Sequence, residues 1–211
     1  MSRTSRGRRH DSRAVVAWLL AGFVVSQLAM AVTLERVRPD LRDPEYGHKL
    51  RLLRRQMAAD WTDLPELELT GRVILESMRL YPPGWILLRS VTTATRLADH
   101  ILPAGTMVLF SPYVLHRHPE SFERPERFEP QRWLAAVPRH AYVPFGGGAT
   151  RCVGEQFALA ETSLALASIL GRWTPSLVDP HRPPPTSLRL VLAPRRLPVH
   201  LHHREAPAGN D

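Results

Sequence analysis

The sequence predicts a mainly α chain with small β-sheets, an α+β fold. Three observations carry this. Asp63 to about Leu80 and Glu155 to about Trp173 set apolar residues at helical spacing. Between and after them lie short, turn-bounded apolar runs that read as strands. The 20 prolines cluster from Pro82 onward, so that half must be rich in loops and turns. A length of 211 residues bounds the chain to one domain, or one domain with an appendage.

Composition narrows the function classes. At 44% hydrophobic residues a sizeable core is possible. The net charge is +8, almost all of it arginine, with Lys49 the only lysine. That bias fits codon usage and a solvated surface. No stripe of basic residues interleaved with aromatics is visible, so a nucleic-acid partner is not expected. A basic patch for an acidic protein partner is compatible with the charge. Cys152 is the only cysteine, which excludes an internal disulfide and fits a reducing compartment.

In chain order, residues 1–13 form a basic tail expected to be disordered. Residues 14–34 carry no charge. They read either as a membrane-spanning or signal-anchor helix or as a buried central helix. Glu45 to Met57 reads as an amphipathic helix with a basic outer face. Asp63 and Pro65 signal the start of the next helix. Leu67, Val73, Ile74, Leu75 and Met78 supply its buried surface, and Pro82-Pro83 stops it near Leu80. Within it Glu76 and Arg79 share one face and can pair, which on a solvated surface is worth little. Their neighbours Leu75, Met78 and Leu80 argue for partial burial.

After Gly84, strands are expected at Trp85 to Val91, Leu97-Ala98 and Thr106 to Phe110, with a hairpin turn at Pro103-Ala104-Gly105. Tyr113 to His116 reads as a helical turn. His118 to Pro144 is a long irregular stretch, and loops of that length are usually functional. Final strands are expected at Ser187 to Leu192 and Pro198 to His202, joined by a turn at Ala193 to Leu197. His200, His202 and His203 are expected on an exposed strand rather than in a metal site. Residues 205–211 form a second disordered tail.

Cys152 follows three glycines, Gly146 to Gly148, and directly precedes the helix from Glu155. Glycine lets backbone approach a flat ligand closely. A helix N-terminus and the adjacent Arg151 favour a thiolate over a thiol. A lone cysteine is otherwise most often a small buried hydrophobe.

Three separated motifs read together give a resemblance. Glu76-Ser77-Met78-Arg79 resembles the E-x-x-R signature of the cytochrome P-450 family, the haem-thiolate monooxygenases. Pro125-Glu126-Arg127-Phe128, followed by Arg132-Trp133, is similar to that family's P-E-R-F motif. Phe145 to Gly154 resembles its haem-binding loop. Leu102 to Thr106, Leu115-His116-Arg117 and Phe157-Ala158 with Glu161 match as well. The resemblance covers about Leu64 to Arg204, within a haem-binding region taken as 35–204, and implies the C-terminal portion of the cytochrome P-450 fold. It implies haem b, iron protoporphyrin IX, with Cys152 as catalytic iron ligand. Phe145, Gly146, Gly148, Thr150, Arg151, Gly154 and Arg89 are implied as further haem contacts. A structural triad of Glu76, Arg79 and Arg127 is also implied, two guanidinium forks on one carboxylate.

The function implied is O2-dependent oxygen insertion into a small hydrophobic organic substrate, with electrons from a ferredoxin- or flavodoxin-type donor. Alternatives are a non-catalytic haem-binding remnant and the C-terminal half of a split monooxygenase whose N-terminal half is a second chain. The sequence departs from the family pattern in two places. Thr150 stands where arginine or histidine is usual. If residues 14–34 are the distal helix, Val24 and Val25 replace an acid–alcohol pair and leave only Ser26 as a donor. That remnant is the favoured reading of 14–34, with a cytoplasmic protein, and membrane anchorage through 14–34 is the alternative.

Overall fold

A computed structural model describes residues 59–179, 186–188 and 191–204. The readings of 1–13, 14–34, 45–57 and 205–211 lie outside the described residues.

The first described element is a 3-10 helix, Trp61–Glu66, with Asp60 as its cap. The Asp60 carboxylate accepts the Thr62 N–H, and the Asp63 carboxylate accepts the Asp60 N–H, both at 2.8 Å. The start signal read at Asp63 therefore begins this turn, not the α-helix. Pro65 has no N–H to continue an α-helical ladder, so regular hydrogen bonding restarts beyond it. Helix α1 then spans Glu68–Leu80 and ends at Tyr81, ahead of Pro82-Pro83.

Helix α1 is buried on more than one side. Ile74 and Met78 pack with Leu166 of helix α3 (Glu155–Arg172), and Leu75, Phe145, Leu159 and Leu170 border that cluster. Val73 and Leu80 pack on a second side with Phe128, bordered by Leu69 and Tyr81. Leu75 is thus at the edge of the core rather than inside it. The face that α3 buries includes small residues, Thr162, Ser163 and Ala167 beside Leu166, which lets the helices approach closely.

The strands of the described residues form four two-stranded antiparallel sheets. β1 (Leu87–Ser90) pairs with β4 (Met107–Phe110), placing Arg89 opposite Val108. β2 (Thr95–Leu97) and β3 (His100–Leu102) form a hairpin in which Ala98 takes a positive φ of 49°. The expected turn at Pro103-Ala104-Gly105 exists, with the Thr106 N–H on the Pro103 carbonyl and Gly105 at φ +86°. It links β3 to β4, which pairs with β1, so it is not the hairpin turn. The short helix α2, Pro112–Leu115, is capped by Ser111.

At the C-terminal end the sequence reading needs correction. β5 (Trp173–Leu177) follows α3 directly and pairs with β8 (Val199–His203). The single strand expected over Ser187 to Leu192 is a hairpin instead, β6 (Thr186–Leu188) with β7 (Leu192–Pro194). Apolar residues on both arms made the two read as one run. His200, His202 and His203 are exposed on β8. Among the described residues no group of three potential ligands could hold a metal ion. Nor is any helix among them long and apolar enough to cross a membrane.

Leu166 is the bridge between α1 and α3. Replacing it with alanine is expected to cost about 2–5 kcal/mol, read as a lower midpoint in urea unfolding.

Candidate functional site

The site is assembled from a buried carboxylate outward. Glu76 and Arg79 are both fully shielded from water, at 0% exposure. Arg79 grips the carboxylate with two bonds, Nε to Oε2 at 2.9 Å and Nη2 to Oε1 at 3.0 Å. Glu76 also accepts from Arg132 Nε at 3.0 Å, Trp133 Nε1 at 3.0 Å and the Glu129 N–H at 2.8 Å. The remaining N–H groups of Arg79 donate to the carbonyls of His116 (3.0 Å), Pro125 (2.6 Å) and Arg127 (2.9 Å). A planar guanidinium has five N–H donors, and all are used. Full satisfaction is what makes such a buried charge tolerable.

The structure departs from the triad of Glu76, Arg79 and Arg127 read from the sequence. The second guanidinium on Glu76 belongs to Arg132, not Arg127. Arg127 is exposed and contributes its backbone carbonyl. Beside it, Phe128 takes the inward direction and fills the core cluster with Val73 and Leu80. Arg132 and Trp133 are instead delivered by a 3-10 helix, Pro130–Leu134, that packs on α1. The sequence carries the P-x-R-aromatic pattern twice, at Pro125 to Phe128 and at Pro130 to Trp133. The second copy was the available signal for Arg132 and Trp133.

From this network the chain runs into the cysteine loop. The Val143 N–H donates to Nε2 of the buried His116 at 2.9 Å. The Tyr142 hydroxyl donates to the Leu75 carbonyl at 3.1 Å. Burial, with the Glu76 charge adding to it, holds that hydroxyl well above the usual tyrosine range, so it keeps its proton. The Tyr142 ring lies 5.0 Å from His116 and meets Trp133 edge-on at 4.5 Å. Nothing in the sequence marked Tyr142, one of several aromatic residues in the irregular stretch His118 to Pro144.

Phe145 is half-buried at the start of the loop, against the Ile74–Met78–Leu166 cluster. Its carbonyl accepts the Cys152 N–H at 3.0 Å, which closes the loop. Gly146 and Gly148 have φ of +77° and +67°, a region that strains any other residue. Thr150 ends a 3-10 turn, Gly148–Thr150. Cys152 is exposed and lies just before the first turn of α3. Its sulfur is 3.8 Å from where a Cβ on Gly154 would sit. Val153 and Phe157 beside it are exposed apolar residues.

Two arginines reach the loop differently. Arg151 is engaged by the Glu155 carboxylate in the first turn of α3, with bonds from Nε and Nη2. Its charge is therefore partly spent on its own helix rather than on a ligand. Arg89 comes from β1, lies over the Phe110 ring, and brings Nη2 to 3.7 Å from the position of a Cβ on Gly146. A cleft of about 700 Å3 lies against the loop, lined by Trp133, Arg139, Tyr142, Phe145, Arg151 and Glu155 among others. Cys152 is not part of that lining.

Sequence comparison agrees with the geometry. The family model for cytochrome P450 matches residues 42–201. The chain belongs to the cytochrome P450 family. It is 43% identical over 148 residues to pentalenene oxygenase of Streptomyces avermitilis, covering 68% of this chain and 33% of that protein. It is 41% identical over 165 residues to cyclooctat-9-en-7-ol 5-monooxygenase of Streptomyces melanosporofaciens, covering 75% and 36%. Human cytochrome P450 4A11 is 39% identical over 150 residues, covering 70% and 28%. The chain thus spans about a third of the length of the curated relatives it matches.

Two predictions follow from the network. Arg132→Leu leaves the Glu76 charge under-compensated in the core and is expected to cost about 3–5 kcal/mol. Arg127→Ala, on an exposed side chain, should stay within about 0.5 kcal/mol. Urea unfolding of both variants checks the contrast. The second concerns pH. Burial lowers the His116 pKa from its ordinary 6.5 to about 4, and the charges of Arg79 and Arg117 act in the same direction. Between those values the unfolded chain binds a proton that the folded imidazole refuses. Stability from this group is therefore complete above pH 6.5 and is lost as pH falls through about 4. The loss is about 3 kcal/mol for a shift of that size. It should appear as the difference between the pH–stability curves of the wild type and His116→Gln.

Proposed function

We propose that this chain forms the proximal, haem-ligating part of a cytochrome P450 monooxygenase, with Cys152 as the iron ligand. The observation that carries the proposal is the setting of the thiol. The only cysteine of the chain is exposed at the end of a glycine-rich loop, at the N-terminus of a long helix. A buried ion-pair network fixes the root of that loop. The donor set fits haem b: one sulfur, glycine backbone able to lie close to a flat ring, the apolar Val153 and Phe157, and a guanidinium for an anionic edge.

In this reading Cys152 binds as thiolate, supported by the α3 N-terminus. Gly146, Gly148 and Gly154 keep the approach clear, and Phe145 braces the loop against the core. Arg89 takes the propionate role that Thr150 cannot fill with charge, because Arg151 is engaged by Glu155. Glu76, Arg79 and Arg132 hold the scaffold. A thiolate-ligated haem, when bound, supplies oxygen activation, since the sulfur pushes electron density that favours O–O cleavage.

The names of two relatives, pentalenene oxygenase and cyclooctat-9-en-7-ol 5-monooxygenase, support oxygen insertion into a small hydrophobic organic substrate. Electrons would come from a ferredoxin- or flavodoxin-type donor, and the net charge of +8 is compatible with an acidic protein partner. A second reading, haem binding without turnover by this chain alone, is favoured by its span of about a third of those relatives.

The test is expression of the full chain with haem precursor and the absorption spectrum of the reduced, carbon monoxide-bound form. A red-shifted Soret band of the thiolate type is expected, and Cys152→Ser should abolish it. Absence of bound haem overturns the proposal. A thiolate band with no product formed, given a competent electron donor and candidate substrates, selects the second reading.

A further inference from the structure

We propose that His116 is a positioning residue for the Cys152 loop, a neutral imidazole that latches the root of the loop to the buried ion-pair network. The inference rests on the reading of Cys152 as the functional ligand, and deepens it.

The geometry is a closed circuit. The His116 carbonyl accepts from Arg79 Nη1 at 3.0 Å, so the residue is tied at its backbone to the Glu76–Arg79 pair. Its ring nitrogen Nε2 accepts the Val143 N–H at 2.9 Å, so it is tied at its side chain to the loop. The next residue back, Tyr142, packs on the His116 ring, bonds the Leu75 carbonyl of α1 and meets Trp133. Trp133 returns to Glu76 through Nε1. Every step lies in or beside the core, and His116 itself is 0% exposed. Two residues beyond Val143, the Phe145 carbonyl receives the Cys152 N–H.

The latch needs an acceptor nitrogen. A protonated ring has two N–H donors and no acceptor, so it would face the Val143 N–H donor to donor. The charged groups near the ring are Arg79 and Arg117, which oppose protonation, with Glu76 beyond Arg79 and the un-ionised Tyr142 hydroxyl on the loop side. An apolar ring of similar size would fill the space but leave the Val143 N–H unsatisfied. A glutamine would keep an acceptor oxygen.

The experiment compares wild type, His116→Phe and His116→Gln as full chains, by two measurements. The first is hydrogen exchange of peptides covering residues 141–152 and 68–80 without haem. The second is the reduced, carbon monoxide-bound spectrum after haem loading. Expected for H116F is exchange at least about tenfold faster in 141–152, unchanged protection in 68–80, and loss of the red-shifted band in favour of a blue-shifted one. H116Q should restore most of both. If H116F fails to fold, an H116Q chain with wild-type loop protection and band still supports the latch. The proposal is overturned if both variants match wild type, if both lose 68–80 and 141–152 together, or if phenylalanine and glutamine behave alike. The exchange measurement reads the latch without haem, so a chain that binds no haem defeats the functional proposal and leaves this one to be decided on exchange alone.

Discussion

A carboxylate removed from water has to be matched by donors, and the placement of Glu76 imposes that condition on everything around it. Two guanidiniums, an indole N–H and a backbone N–H converge on its two oxygens. Glu129 extends the cluster, bridging Arg132 at 3.3 Å and Arg124 at 3.0 Å. Desolvation makes such a cluster a weak source of net stability compared with an apolar core of the same volume. What it supplies is direction. Arg79 can satisfy its last donors only if the carbonyls of His116, Pro125 and Arg127 come to it. A connection with little regular structure is thereby folded around one side chain.

That arrangement explains how an exposed cysteine can be held in place. Residues 147–153 are all exposed, and an exposed loop of small residues is ordinarily among the least stable parts of a fold. Here the order enters from the two ends. On one side Phe145 is fastened into the α1–α3 cluster, directly after residues bound to His116 and Leu75. On the other side Gly154 caps an 18-residue helix that packs on α1. The Phe145 carbonyl and the Cys152 N–H join the two ends. The glycines between them then serve the path of the chain, because Gly146 and Gly148 occupy backbone angles other residues rarely adopt.

Much of this was legible in the sequence, and the exceptions share a cause. Helical periodicity located α1 and α3, because both bury an apolar face in the core. The glycine run before the lone cysteine located the loop. The strands were less legible: β3 has only three residues, and β5 is partnered by β8 near the far end of the chain. The choice of Arg127 over Arg132 failed for a different reason. Two neighbouring copies of one pattern compete for a single carboxylate, and which copy turns inward depends on where Phe128 finds its pocket. That is a tertiary fact. His116 stood within a matching segment, but its role depends on the unremarkable Val143 backbone.

The distribution of charge around the loop has a consequence for ligand binding. Sequence adjacency suggested that Arg151 would support the sulfur directly. The first turn of α3 supplies Glu155 to it, and an acid at that position is itself favoured by the helix dipole. The pair therefore neutralises at the loop surface, leaving the helix end and the backbone N–H groups to act on Cys152. On the proposed reading, an anionic edge of the ligand then has to look across to β1. Arg89 is itself the ladder residue opposite Val108 and lies over the Phe110 ring, on a sheet separate from the loop. Cys152 and Arg89 thus come from two parts of the fold, the loop ahead of α3 and the β1–β4 sheet. A ligand bridging them would depend on the placement of that sheet as much as on the loop.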